Sequence, residues 1–378
     1  MKKNGTNHNL LIVAASENDA NLYYATRFIA PDSFIFFQIR GKKYLLMSDL
    51  EVDRARSQAT VDRVFSTSAL AKQILKKDGK RPGMLDLIER FARDYRAENL
   101  SVPTNFPIQY ADLLRKRGLR LQYLSDPFFP KRTIKTKEEV QAIRRAISQV
   151  ERAVGLAIET LRKAVIRKGK LYYHGETLTS EAIKKIINVN LMEHNCIGAH
   201  SIVACGEQAV DPHQEGTGPL YAHQSIIMDI FPRDSESRYF ADFTRTVVRG
   251  KAGTKLKAMY AAVKEGQEIA FRSIRHGTDG SKIHQAIQKQ FEKLGFQTGV
   301  MGGRMQGFFH GTGHGLGLEI HEEPRISLGK DILKAGHVVT VEPGLYYEGA
   351  GGVRLEDVVV VTRTGCTNLT RFPKYLEI

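Results

Sequence analysis

Two stretches, Ser225-Ile-Ile-Met-Asp-Ile230 and Tyr239-Phe-Ala-Asp-Phe-Thr-Arg-Thr-Val-Val248, decide how the second half of this chain folds. Both are apolar, β-branched and short, as strands are. Between them lies Pro232-Arg-Asp-Ser-Glu-Ser237, built of turn-forming residues. The reading is an antiparallel hairpin with Asp229 and Asp242 placed symmetrically about its turn. Residues so placed face each other with Cβ atoms about 4.5–5.5 Å apart, and two like charges there are destabilising. Downstream the pattern recurs: Glu342 in Val338-Val-Thr-Val-Glu-Pro343 and Glu356 in Val353-Arg-Leu-Glu-Asp-Val-Val-Val-Val361 are symmetric about Gly349-Ala-Gly-Gly352. Two hairpins that each oppose two acids call for cations.

Charge balance favours two divalent ions over one. Four ionised carboxylates around a single ion leave about two negative charges uncompensated, which a buried site penalises strongly. His314, in His310-Gly-Thr-Gly-His-Gly-Leu-Gly317, supplies a neutral nitrogen ligand, and its flanking glycines let the backbone come close. Mostly oxygen ligands with one imidazole suit manganese first, with cobalt or catalytic zinc as alternatives; a closed structural zinc site prefers cysteine.

The 378 residues exceed one typical core and point to two domains, and 42% hydrophobic with 26% charged residues is an ordinary globular balance. No apolar run approaches the roughly 18 residues of a membrane span, and Leu10–Ala15 is too short for a secretory core, so it reads as a first strand. Cys196, Cys205 and Cys366 are sparse and lack metal or CxxC spacing, which fits a reducing cytoplasm and deprives the Asn4-Gly-Thr6 sequon of meaning. The net charge of +15 invites a nucleic-acid reading. Its Lys and Arg residues are nevertheless scattered in short clusters such as Lys76-Lys-Asp-Gly-Lys-Arg81 and Arg115-Lys-Arg117, without the interleaved aromatics of a single-strand platform. A solvated basic surface is expected, with no nucleic-acid or membrane partner.

Residues 1–130 alternate short strands (Leu10–Ala14, Phe34–Phe37, Lys43–Met47) with a helix over Gly83–Tyr95, a small α/β domain. The prolines of Asp126-Pro-Phe-Phe-Pro-Lys-Arg-Thr133 mark its end. Thr136 and Glu139 form a capping box, after which Val140, Ile143, Ile147, Val150, Val154, Ile158 and Leu161 share one helical face. Further helices are expected near 180–194, 255–274 and 281–294, the last stopped by Gly295. Helices followed by antiparallel hairpins make residues 135–378 an α+β domain.

Ala241-Asp-Phe-Thr-Arg-Thr246, His310-Gly-Thr-Gly-His-Gly-Leu-Gly-Leu-Glu-Ile-His-Glu322, Val341-Glu-Pro-Gly-Leu-Tyr346 and Gly352-Val-Arg-Leu-Glu-Asp357 together resemble the pita-bread metallopeptidases, the family of Xaa-Pro aminopeptidases, prolidases and methionine aminopeptidases. The smaller first domain is similar to that of the proline-directed members and of creatinase. The resemblance implies that Asp229 binds one metal, that Asp242 and Glu356 bridge both, and that His314 and Glu342 complete the second. It gives His213 and His321 proton-transfer and substrate-contacting roles, and places His310, Arg354 and Tyr346 along the substrate. The implied activity is hydrolysis of the N-terminal Xaa-Pro bond of peptides or dipeptides through a metal-bridging hydroxide, in a homodimer or tetramer; Glu342, where it reaches the bridging water, can take the proton whose loss makes that hydroxide and deliver it to the leaving nitrogen. The first metal-binding strand departs from the family's Asp-x-Gly, reading Asp229-Ile-Phe231, and its turn is about two residues longer. The alternative reading is a non-catalytic member that binds peptides or polyanions.

Other hydrolytic chemistries fail on spacing. His321-Glu-Glu-Pro-Arg325 begins like a zincin helix, but Arg325 stands where the second histidine belongs and Pro324 interrupts the helix. Neither a Gly-x-Ser-x-Gly elbow nor a phosphate-binding Gly-x-x-x-x-Gly-Lys loop occurs.

Overall fold

The computed structural model describes residues 9–378, which leaves the Asn4 sequon outside the described residues. The chain divides into two compact units with the boundary between Arg132 and Thr133.

In the first unit the apolar runs form a mixed six-stranded sheet in the spatial order Arg63–Ser66, Lys42–Met47, Phe34–Ile39, Leu10–Ala14, Asn99–Pro103, Arg120–Leu124. Alternation along the strands supplies both faces. Leu11, Val13, Ile35 and Phe37 pack with Ile88 and Phe91 of the helix Met84–Asp94, while Leu10, Ile12, Phe34 and Phe36 pack with Leu22, Phe28 and Val52 on the other side. Burial on both faces is why these strands read as continuous apolar runs.

The second unit opens with the helix Lys137–Lys163. Thr136 Oγ1 accepts from the Glu139 amide and Glu139 Oε2 from the Thr136 amide, closing the capping box. From Ile143 onward the expected apolar stripe is buried, whereas Val140 is only half-buried. Helices follow at Ser180–Glu193, Thr254–Ser273 and Gly280–Lys293. The last ends before Gly295, whose φ of +87° is the left-handed turn that favours glycine. Helices Thr254–Ser273 and Gly280–Lys293 share a core with Val339, Val341, Val353, Leu355 and Val359, so they back the strands that flank Glu342 and Glu356. The strands of the second unit that bear on the acids lie in a three-stranded sheet (Ile202–Cys205, Ile226–Asp229, Thr244–Val247), a five-stranded sheet (Glu322–Ile326, Gly313–Gly315, Val338–Val341, Asp357–Val361, Cys366–Asn368) and the hairpin Gly344–Tyr347 with Gly351–Arg354. This is the α+β architecture expected of it. Among the described residues no helix is long and apolar enough to cross a membrane.

Candidate metal centre

The second hairpin keeps one register through its length. Val341 lies opposite Asp357, Gly344 opposite Arg354, and Glu342 and Glu356 occupy the interruption between the two ladders in that same register. The first hairpin differs from expectation: Asp229 is paired with Thr244, not with Asp242. The reason lies in the turn. Asp234 Oδ1 accepts from both the amide and the hydroxyl of Ser237 at 2.7 Å, and the Asp234 amide donates to Tyr239 O, which moves the turn centre one residue toward the C-terminus and the register by two. A slip of two keeps each side chain on its face, so Asp242 stays on the side of the sheet that Asp229 occupies.

The two hairpins are tied together from behind the acids. The Glu356 amide donates to Thr244 O, and Thr246 Oγ1 bonds both the amide and the carbonyl of Arg354. Arg245, fully buried, donates through Nη1 to Glu356 O and Thr244 O and through Nη2 to Asp357 Oδ1 at 2.9 Å. Gly313 lets the His314 strand press onto its neighbour, since a Cβ there would stand 2.0 Å from Thr340 O.

One ligand atom each from Asp242, His314 and Glu356 lies within 4.8 Å of the others. His314 Nδ1 donates to Gly315 O at 3.1 Å, and Nε2 faces Glu342 Oε1 at 3.2 Å and Asp242 Oδ2 at 3.5 Å. Burial lowers the ring's pKa, but the hydrogen bond and charge of Glu342, with Asp242, outweigh that and raise it, so with no cation present the ring is held protonated on both nitrogens. Thr244 Oγ1 donates to Glu356 Oε2 at 2.8 Å, and Arg354 Nη2 to Asp229 Oδ2 at 2.5 Å. The remaining oxygens of these two acids, Asp229 Oδ1 and Glu356 Oε1, are buried without a hydrogen-bond partner among the described residues. Burial, then the neighbouring Asp229, drives the Asp242 carboxyl well above its ordinary range; burial, then Asp242, does the same to Glu356. Glu342 goes the other way. Burial pushes it up, but the hydrogen bond and charge of His314, with His310 and Arg354, outweigh that and bring it down to about 2.

A cavity of about 860 Å³ opens onto this cluster, lined by all five of these residues' side chains and by His213, His310, His321 and Arg354. His213 and His321 are exposed on its wall, and the His321 ring meets His314 edge-on, with centroids 4.4 Å apart. Burial, then His314, holds His321 down at about 4. Tyr346 departs from its expected place along the substrate: it is fully buried and not among the cavity-lining residues. Its hydroxyl accepts from Arg354 Nη1 at 2.7 Å and donates to His310 Nε2 at 2.9 Å, because His310 Nδ1 already gives its proton to Gly311 O. Sequence reasoning named no site role for several lining residues, Phe231 and Arg325 among them. Phe231, two residues beyond Asp229, reads in the sequence only as a departure from Asp-x-Gly, and Arg325, which spoils a zincin pattern, is an exposed residue of the cavity wall.

Residues 141–363 match the model of metallopeptidase family M24. An Xaa-Pro dipeptidase of Pyrococcus furiosus is 31% identical over 246 residues, a span covering 65% of this chain and 65%, just under two thirds, of that protein. Among solved structures, an X-Pro aminopeptidase from Thermotoga maritima superposes with a TM-score of 0.80 at 24% identity, covering 98% of this chain and 97% of the other. An Xaa-Pro dipeptidase from Bacillus anthracis gives 0.82 at 22% identity, covering 98% and 95%.

Proposed function

This chain belongs to metallopeptidase family M24 and has its pita-bread architecture together with an N-terminal domain, and from that premise we propose that it is a binuclear metal-dependent peptidase that hydrolyses the N-terminal Xaa-Pro bond of peptides or dipeptides. In this reading Asp229, Asp242, His314, Glu342 and Glu356 hold two divalent cations, manganese first, with cobalt and zinc compatible with the same donors. The residues fit such a group. The observation that carries the reading is the pair of orphaned, buried carboxylate oxygens, Asp229 Oδ1 and Glu356 Oε1, in a cluster whose acids repel one another. Two bound cations supply the acidity that ionises water near neutral pH and the positive charge that polarises a scissile carbonyl.

The protein's own groups divide the remaining work. Glu342, ionised at neutral pH, is the base that takes the proton of the attacking water and passes it to the leaving nitrogen. His321, neutral at that pH, donates a ring N–H to the developing oxyanion, with His213 across the cavity contacting the substrate. His310 and Arg354 are locked in orientation through Tyr346, and Arg354 in turn fixes Asp229. Arg325 on the wall suits the terminal carboxylate of a short substrate.

The test is metal analysis of the purified protein together with a peptide-length series, Ala-Pro, Ala-Pro-Ala and longer, assayed with added manganese. Bound metal with turnover supports the reading, and the series separates dipeptidase from aminopeptidase. No metal and no turnover defeats it, and peptide or polyanion binding without turnover would support the non-catalytic alternative instead.

A further inference from the structure

His321 is the least restrained of the cavity histidines. Its side chain is exposed, and among the described residues its ring is engaged in no hydrogen bond, only in the edge contact with His314. The next residue is restrained heavily. Glu322 has 2% side-chain exposure, its Oε2 accepts from Lys135 Nζ at 2.6 Å, and Lys135 has 1%. Glu322 Oε1 accepts from the Glu319 amide at 3.2 Å, and a Cβ on Gly317 would stand 2.7 Å from both carboxylate oxygens. The loop that brings the chain from His314 to His321 is therefore wound around the Glu322 carboxylate. Lys135 is anchored as well, its amide donating to Gly336 O at 2.8 Å.

An ion pair so deeply buried is a poor source of stability, because desolvating both charges offsets most of their attraction; apolar replacements are often neutral or stabilising. What such a pair does supply is a fixed position for the backbone it holds. From this geometry we infer that Lys135 and Glu322 are positioning residues for His321, acting through the backbone to aim a ring that has no hydrogen bond of its own. The inference rests on the peptidase reading for the role of His321, not for the positioning itself. A displaced proton donor loses transition-state contact and leaves ground-state binding in place, so the effect belongs in kcat.

The experiment removes both charges at once, in Lys135→Met/Glu322→Met, and crosses that change with His321→Ala. The expected result is an unchanged or higher Tm, kcat on Ala-Pro lowered about tenfold or more with KM within about twofold, and no further loss when the pair is replaced in the His321→Ala background. Losses that multiply in that background, or an unchanged kcat in a folded double variant, would overturn the inference. If Met/Met does not fold, Lys135→Met/Glu322→Gln, which keeps an acceptor for the Glu319 amide, enters the same cycle with the same outcomes. Ring dynamics of ¹⁵N-labelled histidine report independently of turnover: the His321 signal broadens or shifts in the variant if the pair aims the ring, and is unaltered if it does not. A wild type without peptidase activity would therefore refute the functional reading while the ring signal still decides the positioning.

Discussion

Asp242 and Glu356 are strained by the company they keep. Each is buried, and each is pushed toward the protonated form first by that burial and then by another acid of the cluster. Replacing Asp242 by asparagine keeps the shape and removes one charge. The metal-free protein should then gain about 1 kcal/mol, the scale of one pKa unit. The same change should abolish the stabilisation by manganese, which for the wild type amounts to about 2.7 kcal/mol at a metal concentration a hundredfold above Kd. Calorimetric melts with and without manganese read both effects, and a variant that kept the metal-dependent gain would refute the assignment of Asp242 as a ligand. His337 gives a pH dependence away from the cluster. It is 4% exposed, its Nδ1 accepts from the Lys334 amide, and burial first, then Lys135 and Lys334, hold it down to about 4. In the unfolded chain it returns to 6.5, so between those values the unfolded state binds a proton that the folded state refuses. Its contribution is complete above pH 6.5 and lost as the pH falls toward 4. His337→Gln should flatten the decline of Tm across that window, and an unaltered slope would show that the ring does not titrate there.

At the scale of elements, the hairpins explain what the sequence made legible and what it did not. The Glu342 and Glu356 register could be read because the chain reverses in the three residues 348–350, centred on Gly349 at φ +70°, at the head of the Gly349-Ala-Gly-Gly352 run, so symmetry about that glycine is real. The Asp229 hairpin could be read only to within two residues, because the side-chain bonds of Asp234 to Ser237 decide where its turn closes. The two-residue period of a strand is what kept both aspartates on one face despite the slip. Long-range partners left no local signature: nothing in the spacing announces that Arg245 fastens Thr244 to Glu356, that Lys135 reaches Glu322, or that Tyr346 lies fully buried, bonded to Arg354 and His310. Glycine at 313 is the element-scale requirement that can be tested alone. Gly313→Ala forces a Cβ to 2.0 Å from a backbone oxygen of the adjacent strand. It should destabilise the protein by about 1–3 kcal/mol and displace His314, weakening metal affinity by about tenfold or more. Isothermal titration and thermal melts check this, and a variant with native affinity would show that the strand spacing is not what sets the His314 position. Thr136→Ala, which opens the capping box, should cost about 1 kcal/mol without altering affinity, a control for stability loss alone.

For the whole molecule, the alternating pattern of the first unit and the helix-then-hairpin pattern of the second were enough for the fold class, since each element's period agrees with its place in the core. The net charge of +15 says less. Ion pairs such as Arg54 with Glu51 and Arg117 with Asp86 leave that excess unchanged, and the surplus basic residues are spread in short separate clusters rather than gathered into one groove. Binding to a random DNA duplex is accordingly expected to be no tighter than about 10⁻⁴ M at physiological salt, and micromolar binding with a steep salt dependence would reopen the polyanion alternative. The central claim is that acids from two hairpins and one imidazole share a pair of cations. A crystal structure of the protein grown with manganese, with anomalous scattering measured at the manganese edge, tests it most directly. Two anomalous peaks per chain, both among Asp229, Asp242, His314, Glu342 and Glu356, are the expected result; crystals with no peak there, or with these side chains turned into separate environments, would contradict it.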